Sequence, residues 1–189
     1  MDRFSYTGPM STSLQARRLN MQAFAQEGVA LVETTALQKM ERLALETQGL
    51  QSDMSVQWQA RAELRPQPGA EDQGWLHLAA SAAVPLTCQR CMGVVAEEVA
   101  VDQWYRFVAT EDIAMAEDDQ SEEDLLVMEP QFDLLALLED ELLMALPLVP
   151  MHAECPVMPV LQAGEEDMVG EAEEKPNPFA VLAQLKAKK

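Results

Sequence analysis

Four residues of this 189-residue chain have the types and spacing to hold a metal ion. Cys88 and Cys91 are separated by two residues in "TCQRCMG", and His152 and Cys155 by two residues in "MHAECP". A Cys-x-x-Cys turn closing a β-hairpin lets two sulfurs reach one ion from a tight loop. The second pair would complete a tetrahedral Cys3His set, a ligand class of structural zinc. That set uses every cysteine of the chain and one of its two histidines. Pro147, Pro150 and Pro156 keep the second pair on stiff, non-helical backbone. Two other readings stay open: plainly packed thiols, and a redox dithiol at Cys88 and Cys91. The dithiol would draw a low thiol pKa from a helix N-terminus behind the first cysteine, whereas a strand follows here.

The elements that must position these residues are largely β. In "DMSVQWQARAEL" Met54, Val56, Trp58, Ala60, Ala62 and Leu64 alternate with polar residues, the period of a half-buried strand. "WLHLAASAAVPL" reads as a second strand ending at the CQRC turn, and "VVAEEVAVDQWYRFVAT" as a third, apolar on both faces and so central. Short connections between them predict an antiparallel meander. "LLVMEP" reads as a further strand. Helices are expected over 11–26, over 34–46 with Thr34 or Thr35 as cap, and over 132–146, where Pro147 ends a leucine-rich face. "EGVALVE" reads as a short strand, and "EDIAMAEDDQSEED" as an acidic loop. The fold class is therefore α+β: a meander of residues 53–108 covered on one face by the helix at 132–146. A single domain over 1–160 is expected, then an acidic, mobile tail and a short apolar and basic segment over 161–189.

Charge divides the chain more sharply than composition does. The net charge is −19, from 13 basic and 32 acidic residues. Between Arg106 and Lys175 there is no Lys or Arg, against 20 Asp and Glu. Such a surface repels phosphate backbones and attracts basic partners; as a plain alternative, it keeps the protein soluble. No apolar run approaches the roughly 18 residues of a membrane span, and the first 20 residues hold no apolar stretch suited to a signal peptide. A cytoplasmic protein is the expectation.

Catalysis finds little footing. There is no Ser/His/Asp signature and no Gly-rich phosphate loop. Glu139, Asp140 and Glu141 are consecutive on a helix and read as a solvated face. His77 alternates with apolar neighbours and is expected to satisfy itself by local hydrogen bonds. Trp58, Trp75 and Trp104 are expected in the core, with an exposed patch for stacking RNA bases as the alternative.

"CQRCMG" after a strand, "FDLLALLEDELLMALPLVPMH" and "KPNPFAVLAQLK" occur in this order, and together they resemble the YceD family of bacterial and plastid proteins. The resemblance covers residues 80–189. It implies a part in the accumulation of large-subunit (23S) ribosomal RNA, a process rather than a mechanism, and it carries over no catalytic residue.

Joined to the charge pattern, the resemblance suggests a non-enzymatic assembly factor. It would bind a basic ribosomal protein through residues 111–141, with Glu122, Glu123 and Asp124 among the contacts. Phe179, Leu182 and Leu185 share a helical face in "NPFAVLAQL" and are expected to dock on this chain or a partner. In the alternative, the meander contacts pre-ribosomal RNA through Arg61, Arg65, Arg90 and Arg106.

Overall fold

A computed structural model describes residues 15–157 except 68 and 70. Five strands form one sheet in chain order: β1 (Ala30–Ala36), β2 (Ser55–Arg65), β3 (Gln73–Thr87), β4 (Val94–Val108) and β5 (Asp124–Val127). The first four pair antiparallel as the predicted meander, while β5 lies parallel to β4. The sheet is therefore mixed. A helix intervenes between β4 and β5, which gives the chain the length to cross over and return in the same direction.

Side-chain alternation gives the sheet two unlike faces. Val56, Trp58, Ala60 and Ala62 of β2, Leu76 and Leu78 of β3, and Tyr105 and Phe107 of β4 are buried on one side. Helix α1 (Met21–Glu27) packs there on β2 and β3, and α4 (Leu134–Met144) on β4. Leu134, Leu138 and Leu142 of α4 are completely buried, each worth roughly 1.5–3 kcal/mol on full burial. The spacing of these three, four residues apart, is the helical stripe that faces a core. Asp133 caps α4 by accepting from the Ala136 amide at 3.0 Å.

Three helix expectations change in detail. The helix expected over 11–26 begins only at Met21, because Asn20 caps it and Leu19 is drawn into a β-bridge with Phe132. Residues 34–46 do not form one helix. Thr34 and Thr35 complete β1, a 3-10 turn spans Leu37–Lys39, and α2 spans Glu41–Glu46. Thr35 is no cap: its hydroxyl accepts from the Trp58 indole at 2.9 Å. The expected acidic loop is instead helix α3 (Glu111–Glu117) with a following 3-10 turn. Thr110 caps α3, and Glu111 and Asp112 favour its dipole.

Nor are the three consecutive acids of α4 a solvated face. Glu139 accepts from the Arg42 and Leu43 amides at 2.7 and 3.1 Å, so it closes the N-terminus of α2. Arg42 bridges Glu139 and Asp140. Glu141 is buried. Its carboxyl is held above the usual range first by that burial, against the Tyr105 hydroxyl, with Asp124 and Asp140 adding to the rise. The buried Tyr105 hydroxyl meets no acceptor in standard hydrogen-bond geometry, yet it lies close enough to Glu141 for the pair to perturb one another.

The described residues up to Cys155 belong to one compact unit, and a second begins at Pro156. The expected boundary at 160, the acidic tail, Phe179, Leu182 and Leu185 lie outside the described residues. Among those described, no helix is long and apolar enough to cross a membrane.

Candidate metal centre and binding surfaces

The β3–β4 connection is a tight turn with an internal frame. The Cys88 amide donates to Gly93 O at 2.8 Å and the Met92 amide to Cys88 O at 2.9 Å. Met92 has a left-handed φ of 59°, a conformation costly for a side chain of its size. Gly93 lies against the site: a Cβ there would make ordinary contact, 3.5 Å from Cys91 Sγ and 4.0 Å from the His152 ring.

The segment after α4 runs back to this turn. The Gln89 amide donates to Pro150 O at 2.9 Å, Arg90 donates to His152 O at 3.2 Å, and the Met151 amide donates to Glu97 at 3.3 Å. These bonds bring His152 and Cys155 against Cys88 and Cys91. The four ligand atoms all lie within 4.8 Å of one another. Cys88 Sγ and Cys155 Sγ are 3.9 Å apart, and Cys91 Sγ and His152 Nδ1 3.5 Å. Sulfurs bound at about 2.3 Å on a tetrahedral zinc stand about 3.8 Å apart, and a sulfur and a nitrogen about 3.6 Å apart. Both separations match the edges that a tetrahedral zinc site would have. The His152 ring donates from Nε2 to Val94 O at 2.9 Å. That bond fixes the tautomer and turns a bare Nδ1 lone pair toward the thiols, the usual outer-shell support of a metal histidine.

The thiols are electrostatically unequal. Burial opposes charge on Cys88, but the Cys91, His152 and Arg90 amides outweigh it and bring its pKa down to about 5. Burial, then the neighbouring Cys91 and Cys88, push Cys155 up to about 11. One sulfur is thus prepared as thiolate, and the crowding of like charge disfavours a second thiolate at Cys155. A divalent cation relieves that crowding. The donor set, three thiols and an imidazole, suits zinc in a closed, structural coordination shell.

The open face of the sheet holds what the sequence reading misplaced. Trp58 is in the core, but Trp75 and Trp104 are only half-buried and lie on the side that α1 and α4 leave uncovered among the described residues. There they meet each other edge to face, with His77 stacked on Trp104 and Arg65 over both indoles. His77 is satisfied locally, as expected, by Asp102 at 2.6 Å. The signal was present in the sequence: Trp104 and Arg106 share one parity of β4, opposite to that of the buried Tyr105 and Phe107.

Three of the four arginines assigned to RNA come together here. Arg61 and Arg65 bind Glu63 at 2.9 and 2.6 Å, and Arg61 first, then Arg65, holds that carboxyl below its usual range. Arg106 lies opposite Trp75 and binds Glu117 at 2.7 Å. Arg90 is elsewhere. It sits in the CQRC turn, beyond the far end of β3, whose extended strand puts about 46 Å between the Arg65–Gln73 pair and Thr87.

At the other end of β4 the acids gather. Glu111, Asp112, Asp118, Asp119, Glu122 and Asp124 are exposed, and Glu117 and Glu123 half-exposed, on α3, its 3-10 turn and β5. Among the described residues of this flank, the base in an ion pair is Arg106, already engaged with Glu117.

The family of large ribosomal RNA subunit accumulation protein YceD matches residues 76–186. A protein of Haemophilus influenzae bearing that name is 34% identical over 177 residues, covering 87% of this chain and 91% of its own. No solved structure matches. Matched over more than half its length, and that similar to a relative it nearly spans, the chain belongs to the YceD family.

Proposed function

We propose that the protein is a non-enzymatic factor in large ribosomal subunit biogenesis, supporting the synthesis, processing or stability of 23S ribosomal RNA. The family name and the name of the Haemophilus influenzae relative support that process. For the molecular act, the reading is capture of a basic ribosomal protein by the flank of α3 and β5. The observation that carries it is the run of acids from Glu111 to Asp124, set on α3, its 3-10 turn, the bend after it and the start of β5, and largely exposed. A surface of this sign repels RNA and gathers lysine- and arginine-rich protein. Such a factor would act where ribosomes assemble, in the cytoplasm.

In the same reading, Cys88, Cys91, His152 and Cys155 hold one structural zinc that fastens the segment after α4 to the sheet. The near-tetrahedral spacing of their donor atoms supports it. Zinc bound this way leaves no open position for substrate, in keeping with a role without catalysis.

A second reading has the meander contact ribosomal RNA directly. The Arg61–Glu63–Arg65 row beside two half-exposed tryptophans favours it. A pull-down from cell extract at low and high salt, with and without ribonuclease, separates the two. A large-subunit protein retained through ribonuclease and lost in salt is expected. Loss with ribonuclease alone would hand the function to the second reading.

A further inference from the structure

The open side of the sheet carries more aromatic surface than a solvated face requires. Trp75 and His77 on β3 and Trp104 on β4 lie there, none of them fully buried. Rings of this size left without a covering layer mark interaction surfaces. They order one another. Trp75 and Trp104 stand 6.4 Å apart, centroid to centroid, and His77 stacks on Trp104 at 4.7 Å with planes 30° apart. The Arg65 guanidinium sits 3.8 Å from the centre of Trp75 and 4.7 Å from that of Trp104. An arginine spread on indole is a flat, cationic platform rather than a mobile point charge.

The β2 row is charged opposite to the chain as a whole, while Asp102 on β4 is held by His77 and Glu33 of β1 lines the trough beyond. Arg61 and Arg65 share the single carboxylate of Glu63, so this row carries an excess positive charge. Their side chains are 59% and 41% exposed, and a guanidinium with five N–H donors has several left over. One row along the strands, about 7 Å away, Gln59 faces Ala79, and beyond them Gln57 faces Ser81. Small side chains on β3 make this a trough of about 470 Å³. Its rim offers amide and hydroxyl groups, which both donate and accept.

We propose that this face binds unpaired, single-stranded RNA, a proposal that rests on the RNA-contacting reading above and gives it a surface. Bases stack on the Arg65 guanidinium where it lies over Trp75 and Trp104, Arg61 and the free edge of Arg65 meet phosphates, and the Gln57 and Gln59 amides meet base edges in the trough. Paired bases cannot offer their faces to such a platform, so the site selects single strands. The acidic flank beyond β4 repels phosphate, and the strand is therefore laid over β1 to β3, on the trough side. A basic peptide, the other partner that tryptophans attract, is opposed by the arginine row.

Anisotropy of a fluorescein-labelled, unstructured RNA of about twelve nucleotides, titrated with the full chain at low salt, tests this. Saturable binding is expected, with log K falling against log salt at a slope of about −1 to −2, for two or three phosphate contacts. Trp75→Ala and Trp104→Ala should each weaken it about tenfold. Ser81→Glu, which puts a carboxylate in the trough without touching the rings, should weaken it as well. All three variants should melt within a few degrees of the parent, since these positions lie outside the core. Equal binding by parent and variants would overturn the face while leaving RNA contact intact. No binding of any RNA would overturn the RNA reading and this proposal with it. If an oligo-arginine peptide, and not RNA, quenched Trp75 and Trp104 emission, the face would belong to a protein partner and the proposal would fall.

Discussion

The two ends of β4 solve opposite problems. At its start, beside Val94, polar groups converge: four candidate donor atoms lie within 4.8 Å of one another, and the Pro150–Cys155 segment is held by backbone bonds to the turn and by Glu97. At its end, past Val108, polar groups diverge. The acids of α3 and β5 face outward, with Arg106 on Glu117 as their one described ion pair. A cluster that satisfies itself stabilises a fold, whereas one that repels itself contributes little until something of opposite charge arrives. The clasp therefore reads as structure and the flank as function, although both are built from charged or chargeable side chains.

The severest way to break the comparison is to remove the layer that both ends depend on. Leu138 is fully buried on α4. A carboxylate there costs on the order of 4 kcal/mol or more, a large share of a domain's stability. Leu138→Asp should show no cooperative thermal transition by circular dichroism. Native melting would mean that α4 does not close the core.

A smaller effect sharpens the clasp. Protein purified without chelator should carry about one equivalent of zinc by elemental analysis, and Cys88→Ala less than about a tenth. Chelation should speed hydrogen exchange over residues 147–157 while the sheet stays protected. Zinc-free parent protein would refute the clasp, as would a sheet that opens together with that segment.

Glu141 gives a third, weaker handle. Burial raises its folded-state pKa above the unfolded one. The native state therefore binds the extra proton, and stability falls as pH rises between the two values. The contribution is intact below the unfolded pKa and lost above the folded one. Glu141→Gln should thus stabilise the protein at pH 7. Near pH 3.5 it should match the parent. Denaturant midpoints at the two pH values decide it, and equal midpoints at pH 7 would show that the carboxyl is not strained. The least effect belongs to Met92, whose left-handed φ of 59° suits glycine. Met92→Gly should raise stability by at most about 1 kcal/mol, read from the same denaturant curves; a loss would mean that the Met92 side chain packs.

Much of this was legible before any coordinates. Clean alternation placed β2, looser apolar runs placed β3 and β4, and the leucine stripe and Pro147 placed α4. The paired spacing of Cys88/Cys91 and His152/Cys155 identified the four donors that the fold brings together across 60 residues. What failed has physical causes. Alternation shows that a strand has two faces but not which one a helix covers, so Trp75 and Trp104 were put in the core. A run of acids suppresses helix expectation unless its cap is noticed, and Thr110 was not. Thr34 and Thr35 suit a helix start, yet pairing with β2 took them into the sheet. Glu141 sits on the same stripe as Leu138 and Leu142, and its burial follows from that position.

The most direct test of the account is hydrogen exchange on the full chain mixed with a purified basic ribosomal protein of the large subunit. The account predicts new protection over residues 111–127, abolished by Asp118→Lys with Asp119→Lys and Glu122→Lys, and little change at the clasp. Protection elsewhere, or protection that survives those charge reversals, would contradict it.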